Sequence, residues 1–320
     1  MQPTTSLTAD SSQLGALADG CGMFAWGNAT VVSHTGPDAL DLLHRLATKD
    51  LLSVEIGRSR RTVLTSAKGR VIDVFLVAHT SENELLLISD SSNSDRLVSA
   101  IDYFTIIEDA ELNDRTDRCA RISLVGPNAR AVAKTAFGSN IDLGDVMQVS
   151  VDGDLVEVIS DSSRGVEWVD VICKKASAAQ ISESLSAIDA IAVDERHFEH
   201  FRIDKLIPGS DREYGEHANP IEAGLLPLID FDKGCYVGQE VIARLDAYDK
   251  VQRNVKVLKS LTPLVEGTKL ANGTKPAGVV TSASQLETDS GEFLSFALVR
   301  MAFLESGIEL DAGGVTASVR

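Results

Sequence analysis

The sequence predicts an α+β body followed by a small all-β domain, and three observations carry that reading. A strand, a Gly-Pro turn and a helix start occur twice, at Val31-Val32-Ser33-His34-Thr35-Gly36-Pro37-Asp38-Ala39 and again at Arg121-Ile122-Ser123-Leu124-Val125-Gly126-Pro127-Asn128-Ala129. No strand–helix–strand run demands a doubly wound parallel sheet. Beyond Val251 the chain changes to short strands separated by turn signals.

The opening Met1 to Gly20 is polar and rich in Ser and Thr, without the basic and apolar regions of a signal peptide, so residues 1–21 read as a polar N-terminal segment. After the first echo, Leu40, Leu43 and Leu46 keep a helical period. Arg61 to Thr65 and Arg70 to His79 flank Ala67-Lys68-Gly69 as a hairpin. Glu84 to Ser89 adds a strand, and a helix follows around Asp95 to Phe104. Ala129, Val132 and Ala133 repeat the helical period after the second echo. Met147 to Val151, Val156 to Ser160 and Val166 to Cys173 read as strands, with Asp152-Gly153-Asp154 as a turn. Ala176 to Leu185 and Val193 to Arg202 read as helices. Val255 to Leu258, Ala277 to Ser282, Phe293 to Val299 and Val315 to Val319 then alternate with Gly267, Asn272-Gly273, Ser290-Gly291 and Gly313-Gly314, the pattern of a small barrel. The expected division is 1–21, a body over 22–248, and a C-terminal β-barrel over 249–320.

Composition narrows the function. With 44% hydrophobic and 24% charged residues the chain reads as an ordinary globular protein. Its net charge of −17 and pI near 4.7 argue against a surface built for nucleic-acid phosphates, so no direct nucleic-acid binding is expected. No apolar run is long enough to span a bilayer. Cys21, Cys119, Cys173 and Cys235 form no Cys-x-x-Cys pair, which excludes a zinc ribbon or a self-contained ferredoxin motif. Scattered cysteines fit a reducing cytoplasm, and Cys119 and Cys173, beside strand-like runs, read as small core residues.

Chemistry concentrates in Asp230 to Arg244. Two glycines flank Cys235-Tyr236-Val237, a lysine precedes them, and a helix-forming run follows with Val237, Val241, Ile242 and Leu245 on one face and Glu240 and Arg244 spaced to pair. Helix N-termini and nearby lysines favour a thiolate, so Cys235 reads as a reactive thiol assisted by Lys233, against the alternative of a buried turn cysteine. Gln239 and Glu240 read as local scaffolding that caps the turn, or as part of the chemistry. Glu167, on a strand between Val166 and Trp168, either faces a pocket or faces solvent. Trp168 reads as core, with stacking on a ligand as the alternative. Arg202, ending a helix of alternating charge, reads by itself as a surface or cap charge. His197 and His200 at i,i+3 lack companion ligands and read as solvated helix residues, and no bound metal is expected.

Lys233-Gly234-Cys235-Tyr236-Val237-Gly238-Gln239-Glu240 resembles the signature of the YgfZ-type folate-binding proteins, relatives of the T-protein (aminomethyltransferase) of the glycine cleavage system. Arg202 to Pro208, Asn219 to Leu225, Gly165 to Trp168 and Ala67 to Asp73 resemble further blocks of that family, in the usual order. The resemblance runs from about residue 22 to the C-terminus. It implies a GcvT-like folate-binding body of ferredoxin-like and Greek-key parts in a ring, then a barrel. It also implies tetrahydrofolate or a derivative as ligand, held by Glu167 and Arg202, with Trp168, Gln239 and Glu240 nearby. T-proteins carry an adjacent acidic pair in the early hairpin and use an aspartate there, whereas this chain reads Asp73-Val74 and has the later cysteine that T-proteins lack. Those departures favour a cytoplasmic tetrahydrofolate-binding protein that assists iron–sulfur cluster assembly, repair or insertion, including for tRNA-modifying enzymes. Cluster apoproteins or carriers would be its partners, with Cys235 and Lys233 as chemical residues. The competing reading is a folate-dependent aminomethyltransferase or demethylase, in which Asp73 would act.

Overall fold

The computed structural model describes residues 5–161, 163–248 and 250–320. Residues 1–4 of the polar opening segment, and Asp249, the expected first residue of the C-terminal domain, lie outside the described residues. The chain forms two compact units. The first takes the chain through Leu64, Ile72–Asp194 and Asp232–Tyr236; the second takes Thr65–Val71, Glu195–Phe231 and Val237–Arg320.

In the first unit, two sheets pack face to face and helices cover their outer sides. One sheet runs in the order Ser59–Thr65, Val71–Ser81, Glu84–Ser89, Thr30–Thr35, Glu111–Asp114. The other runs Ile191–Ala192, Gly22–Ala25, Cys119–Val125, Trp168–Lys174, Asp154–Ser160, Val146–Val151, with only the short Gly22–Ala25 and Ile191–Ala192 pair parallel. Val31, Leu76, Ala78, Leu86 and Ile88 from the first sheet meet Cys119, Ile159 and Ile172 from the second in the core between them. Alternate strand residues thus face this core, as the two-residue strand period requires.

The two echoes fold alike. Each strand is followed by a glycine of similar backbone geometry, φ +119° at Gly36 and +116° at Gly126, and each leads into a helix, Ala39–Leu46 and Ala129–Phe137. In the first helix Ala39, Leu42, Leu43 and Leu46 are buried, an i, i+3, i+4, i+7 stripe on the first sheet. Leu42 takes the place expected of Leu40, because the stripe starts at Ala39. Each buried leucine contributes about 1.5–3 kcal/mol, so a single Leu43→Asp would undo the packing of this short helix. Ala129, Val132 and Ala133 are buried as expected and join the core on the outer face of the second sheet. Where the sequence reading had only polar chain, a helix spans Thr5–Asp19, and its end is held by buried Ala16 and Leu17.

The second unit holds a closed barrel in the order Arg253–Ser260, Phe293–Arg300, Lys275–Glu287, Lys269–Asn272, Glu309–Asp311, Thr316–Val319. Lys269–Asn272 and Glu309–Asp311 were not expected from sequence; they are short and close the ring. Inside lie Leu258, Leu270, Val280, Val299, Leu310 and Val319. The helix Glu195–Asp204 packs on the outside, with Ile203 against Val257, Leu294 and Phe296.

Candidate functional site

Of the cysteines, Cys235 alone is exposed; Cys21, Cys119 and Cys173 are buried. Burial pushes the Cys21 thiol up to about 12 and that of Cys173 to about 11, and it raises Cys119 as well, so these three are held as neutral core thiols. Cys235 stands between Gly234 and Gly238, both at positive φ. Gly238 is the N-cap of the helix Gln239–Ala247, and a Cβ there would come within 2.5 Å of the Ser66 carbonyl oxygen. The Thr65 hydroxyl donates to the Val237 carbonyl at 2.5 Å, fixing the turn from the other side. No side chain caps the helix; Gln239 and Glu240 open it, with Glu240 exposed where a negative charge complements the N-terminal dipole. Ile242 is the residue that this helix buries.

Lys233 has a defined task. Its ammonium donates to the carbonyls of His44, of Ala47 at 2.7 Å and of Lys49 at 3.2 Å, beside the Tyr236 ring. Those carbonyls lie at and just past the C-terminal end of the helix Ala39–Leu46, where backbone acceptors lack intrahelical donors and a positive charge is favoured. The structure therefore brings Lys233 to a helix end, and the segment carrying Cys235 is pinned by it.

Glu167 is not within a strand, as the sequence reading had it, but one residue before Trp168–Lys174. The strand ladder starts a residue later because Gly126 N–H binds the Glu167 carbonyl where the Cys119–Val125 strand has already ended. Its Oε1 accepts from Arg130 Nη2 at 2.6 Å, and the carboxylate retains 28% exposure, so it is oriented and still reachable. Trp168, by contrast, is fully buried: its Nε1 donates to Asp170 Oδ1 at 3.0 Å and the Arg164 guanidinium lies 4.1 Å above its ring.

Behind Glu167 lies a buried charge network that sequence reasoning missed. Arg121 grips Asp170 with Nε and Nη2 at 2.8 and 2.9 Å and reaches Asp90 with Nη1 at 2.7 Å. Arg164 binds Asp90 at 2.8 Å and Asp161 at 3.0 Å, and Arg61 binds Asp161 at 2.8 Å. Three arginines and three aspartates balance, which is what permits six charges in the core. Burial opposes ionisation of Asp90, yet Arg164, Arg121 and Arg61 more than offset it and hold the carboxyl far below the usual carboxylate range. Arg164 also locks the loop that ends at Glu167. The sole trace in sequence is charge inside apolar strands, at Arg121 and Asp170.

Asp73 is wholly buried. Oδ1 accepts from Ser89 Oγ at 2.7 Å and from the Val74 amide at 2.8 Å, while Oδ2 has no hydrogen-bond partner among the described residues. Burial lifts its pKa from the ordinary 3.8 to about 6, although the Ser89 and Val74 hydrogen bonds pull the other way. Such a carboxyl exchanges a proton near neutral pH.

Arg202, read from its residues as a surface or cap charge, is buried in the second unit. Nε and Nη2 fork onto Glu199 at 2.6 and 2.7 Å, Nη1 donates to Glu213 at 2.8 Å and to the Ile207 carbonyl at 3.3 Å, and Nη2 donates to Ser282 Oγ at 2.5 Å. Every guanidinium N–H is thereby used. His197 and His200 are likewise buried, not solvated, because their helix packs on the barrel; His200 Nδ1 lies 2.8 Å from Ser284 Oγ. Among the described residues no group of three His, Cys, Asp or Glu side chains is placed to hold a metal ion. Cys235, Lys233, Asp73, Glu167 and Trp168 belong to the first unit, and Arg202, Gln239 and Glu240 to the second.

The fold has a close solved counterpart. The crystal structure of glycine cleavage system aminomethyltransferase T from Bartonella henselae superposes with a TM-score of 0.84 over 98% of this chain and 88% of that one, at 18% sequence identity. Among sequence relatives, the aminomethyltransferase of Herpetosiphon aurantiacus is 22% identical over 308 residues, 92% of this chain and 83% of that protein. The Arabidopsis thaliana protein named "Putative transferase At1g60990, chloroplastic" is 27% identical over 270 residues, 81% of this chain but 61% of its own length. The GcvT-like fold expected from the motifs is thus the fold found. The family model of the GCVT N-terminal domain matches residues 8–233, most of the chain, and the chain belongs to that family.

Proposed function

We propose that this chain is a YgfZ-type protein that binds a reduced folate and presents Cys235 to the cargo of iron–sulfur cluster assembly, repair or insertion. The observation that carries the reading is the exposure of Cys235 on a pinned, glycine-flanked turn while the other three thiols are buried and neutral. One thiolate cannot hold a cluster, so a carrier or client apoprotein supplies the remaining ligands and the cluster passes as cargo. A reducing compartment such as the cytoplasm keeps that thiol available.

The residues of the first unit fit a pterin. Arg130 engages one oxygen of Glu167, which leaves acceptor positions for two N–H groups of a 2-aminopyrimidinone edge. Trp168 and the charge network hold the backbone behind that carboxylate, and Arg202 braces the second unit. Calorimetry with tetrahydrofolate should give binding for wild type and at least about tenfold weaker binding for Glu167→Ala, the size of a lost charged hydrogen bond. Cys235→Ala should fold and bind folate normally yet fail to restore cluster-dependent enzymes in cells that lack the protein. Full complementation by that variant would remove the thiol from the mechanism.

A second reading, a folate-dependent aminomethyltransferase or demethylase, draws on Asp73. A buried carboxyl with a pKa of about 6 and one unpartnered oxygen is chemically able to take or give a proton. Formation of methylene-tetrahydrofolate from glycine-, sarcosine- or dimethylglycine-type donors, abolished in Asp73→Asn, would establish it.

A further inference from the structure

The helix Ser94–Asp102 ends in a loop that leads to the strand Glu111–Asp114 and holds some of the most exposed apolar side chains of the molecule. Tyr103 is 74% exposed, Ile106 83% and Ile107 90%. The loop is built, not loose. Tyr103 N–H donates to the Ser99 carbonyl, Phe104 N–H to Ile101 and Thr105 N–H to Asp102, continuing the helix by a turn. Glu108 Oε2 then accepts from the amides of both Ile106 and Ile107, at 2.9 and 3.1 Å, while its Oε1 accepts from Arg45 at 2.9 Å. Asp109 and Asp38 exchange hydrogen bonds across the loop's far end, and Arg45 also binds Asp41. Single exposed leucines or isoleucines are ordinary on any surface, but a tyrosine and two adjacent isoleucines, all strongly exposed on one short braced loop, concentrate apolar surface in one segment.

Charge identifies what covers it. From Leu97 to Asp114 the chain carries Asp102, Glu108, Asp109, Glu111 and Asp114 and no Lys, Arg or His. Asp38 and Asp41 add to the same rim, and the cations beside it are engaged, Arg45 by Asp41 and Glu108 and Arg118 by Asn113 and the Asp114 carbonyl. We propose that Tyr103, Ile106 and Ile107 are the docking knob for a partner protein whose receiving cleft is apolar and rimmed by lysine and arginine. An aromatic and two aliphatic anchors inside a charged rim have the anatomy of an interface centre. A second copy of this chain, docking the same face across a two-fold axis, would set acid against acid. An anionic bilayer would repel the same rim.

The test places benzoylphenylalanine at position 103 of the full chain in its own cells, irradiates, and identifies and purifies the protein cross-linked there. Affinity of that purified protein for wild type, Ile106→Glu/Ile107→Glu and Leu261→Glu is then measured at low and high ionic strength. Leu261, 79% exposed on the second unit, is the control for a charge placed on any exposed apolar residue. The proposal expects binding by wild type and by the Leu261 variant that weakens with salt, and a loss of about 30-fold or more in the double isoleucine variant, the size of a lost hot spot. Both isoleucines are exposed, so the variant should keep wild-type urea unfolding. Cross-links only to a second copy, only to lipid or to nothing would overturn the proposal. So would a purified partner that binds the double variant as it binds wild type, or whose binding ignores salt.

Discussion

Replacing Asp73 by Asn tests a carboxyl whose ionisation the fold resists. In the folded chain that group ionises at about 6 against an ordinary 3.8, chiefly because burial strips it of water. Between those two values the folded chain holds a proton that the unfolded chain has released. The contribution is therefore complete below 3.8 and declines as pH rises through about 6. A separation of about 2.2 pH units, at about 1.4 kcal/mol each, makes about 3 kcal/mol of stability that wild type has lost by neutral pH. The variant's amide keeps the Oδ1 acceptor used by Ser89 and Val74 and sets an NH2 where Oδ2 has no partner, a penalty that does not change with pH. Urea denaturation of both proteins from about pH 4 to about pH 7 should show the variant gaining about 2.4 kcal/mol on wild type across the interval, the remainder falling below about pH 4. A difference that stays constant across that interval would refute the reasoning, because it would mean that Asp73 titrates as an exposed aspartate does.

Other perturbations read other parts of the molecule. Arg164→Met leaves three buried aspartates to two arginines and should cost about 3–5 kcal/mol in urea denaturation, the usual result of breaking a buried ion pair from one side. Gly238→Ala puts a Cβ into the left-handed region and against the Ser66 carbonyl, so it should destabilise the second unit by about 2 kcal/mol or more, measured the same way. An aromatic disulfide reagent should modify about one thiol per native chain quickly, and the rest only after denaturation; fast modification in Cys235→Ala would show that another thiol is reachable.

Local pattern revealed much of this protein. The paired strand, Gly-Pro and helix units follow from turn chemistry that is local in sequence, and so do the early hairpin and four of the barrel strands. Lys269–Asn272 and Glu309–Asp311 escape because they are short and carry no β-branched residue, whereas the equally short Thr316–Val319 continues from Val315 and carries Thr316 and Val319. The helix over His197, His200 and Arg202 is legible in sequence, but the burial of those three side chains is not. Its burial depends on a barrel made of residues far along the chain, and Phe198, Phe201 and Ile203 beside those histidines were the available warning. The network of Arg61, Asp90, Arg121, Asp161, Arg164 and Asp170 joins residues from separate strands and loops, so its pairing exists only in three dimensions. Lys233 is similar: proximity in sequence suggested service to Cys235, and tertiary structure gave its ammonium to a helix end nearly two hundred residues earlier.

The way the chain is shared between the two units bears on its birth at the ribosome. It changes unit after Leu64, Val71, Asp194, Phe231 and Tyr236, so neither unit is one uninterrupted stretch. A nascent chain stopped short of Asp232 lacks the last piece of the first unit, and the helix Glu195–Asp204 emerges well before the barrel strands that bury its Ile203. Maturation is for that reason a late, joint event, and truncated products should be cleared by proteases rather than persist as half-proteins. Cys235 lies within that final piece, so its thiol gains its pinned platform only when the first unit is otherwise complete, and an unfinished chain offers no formed site to a reactive cargo.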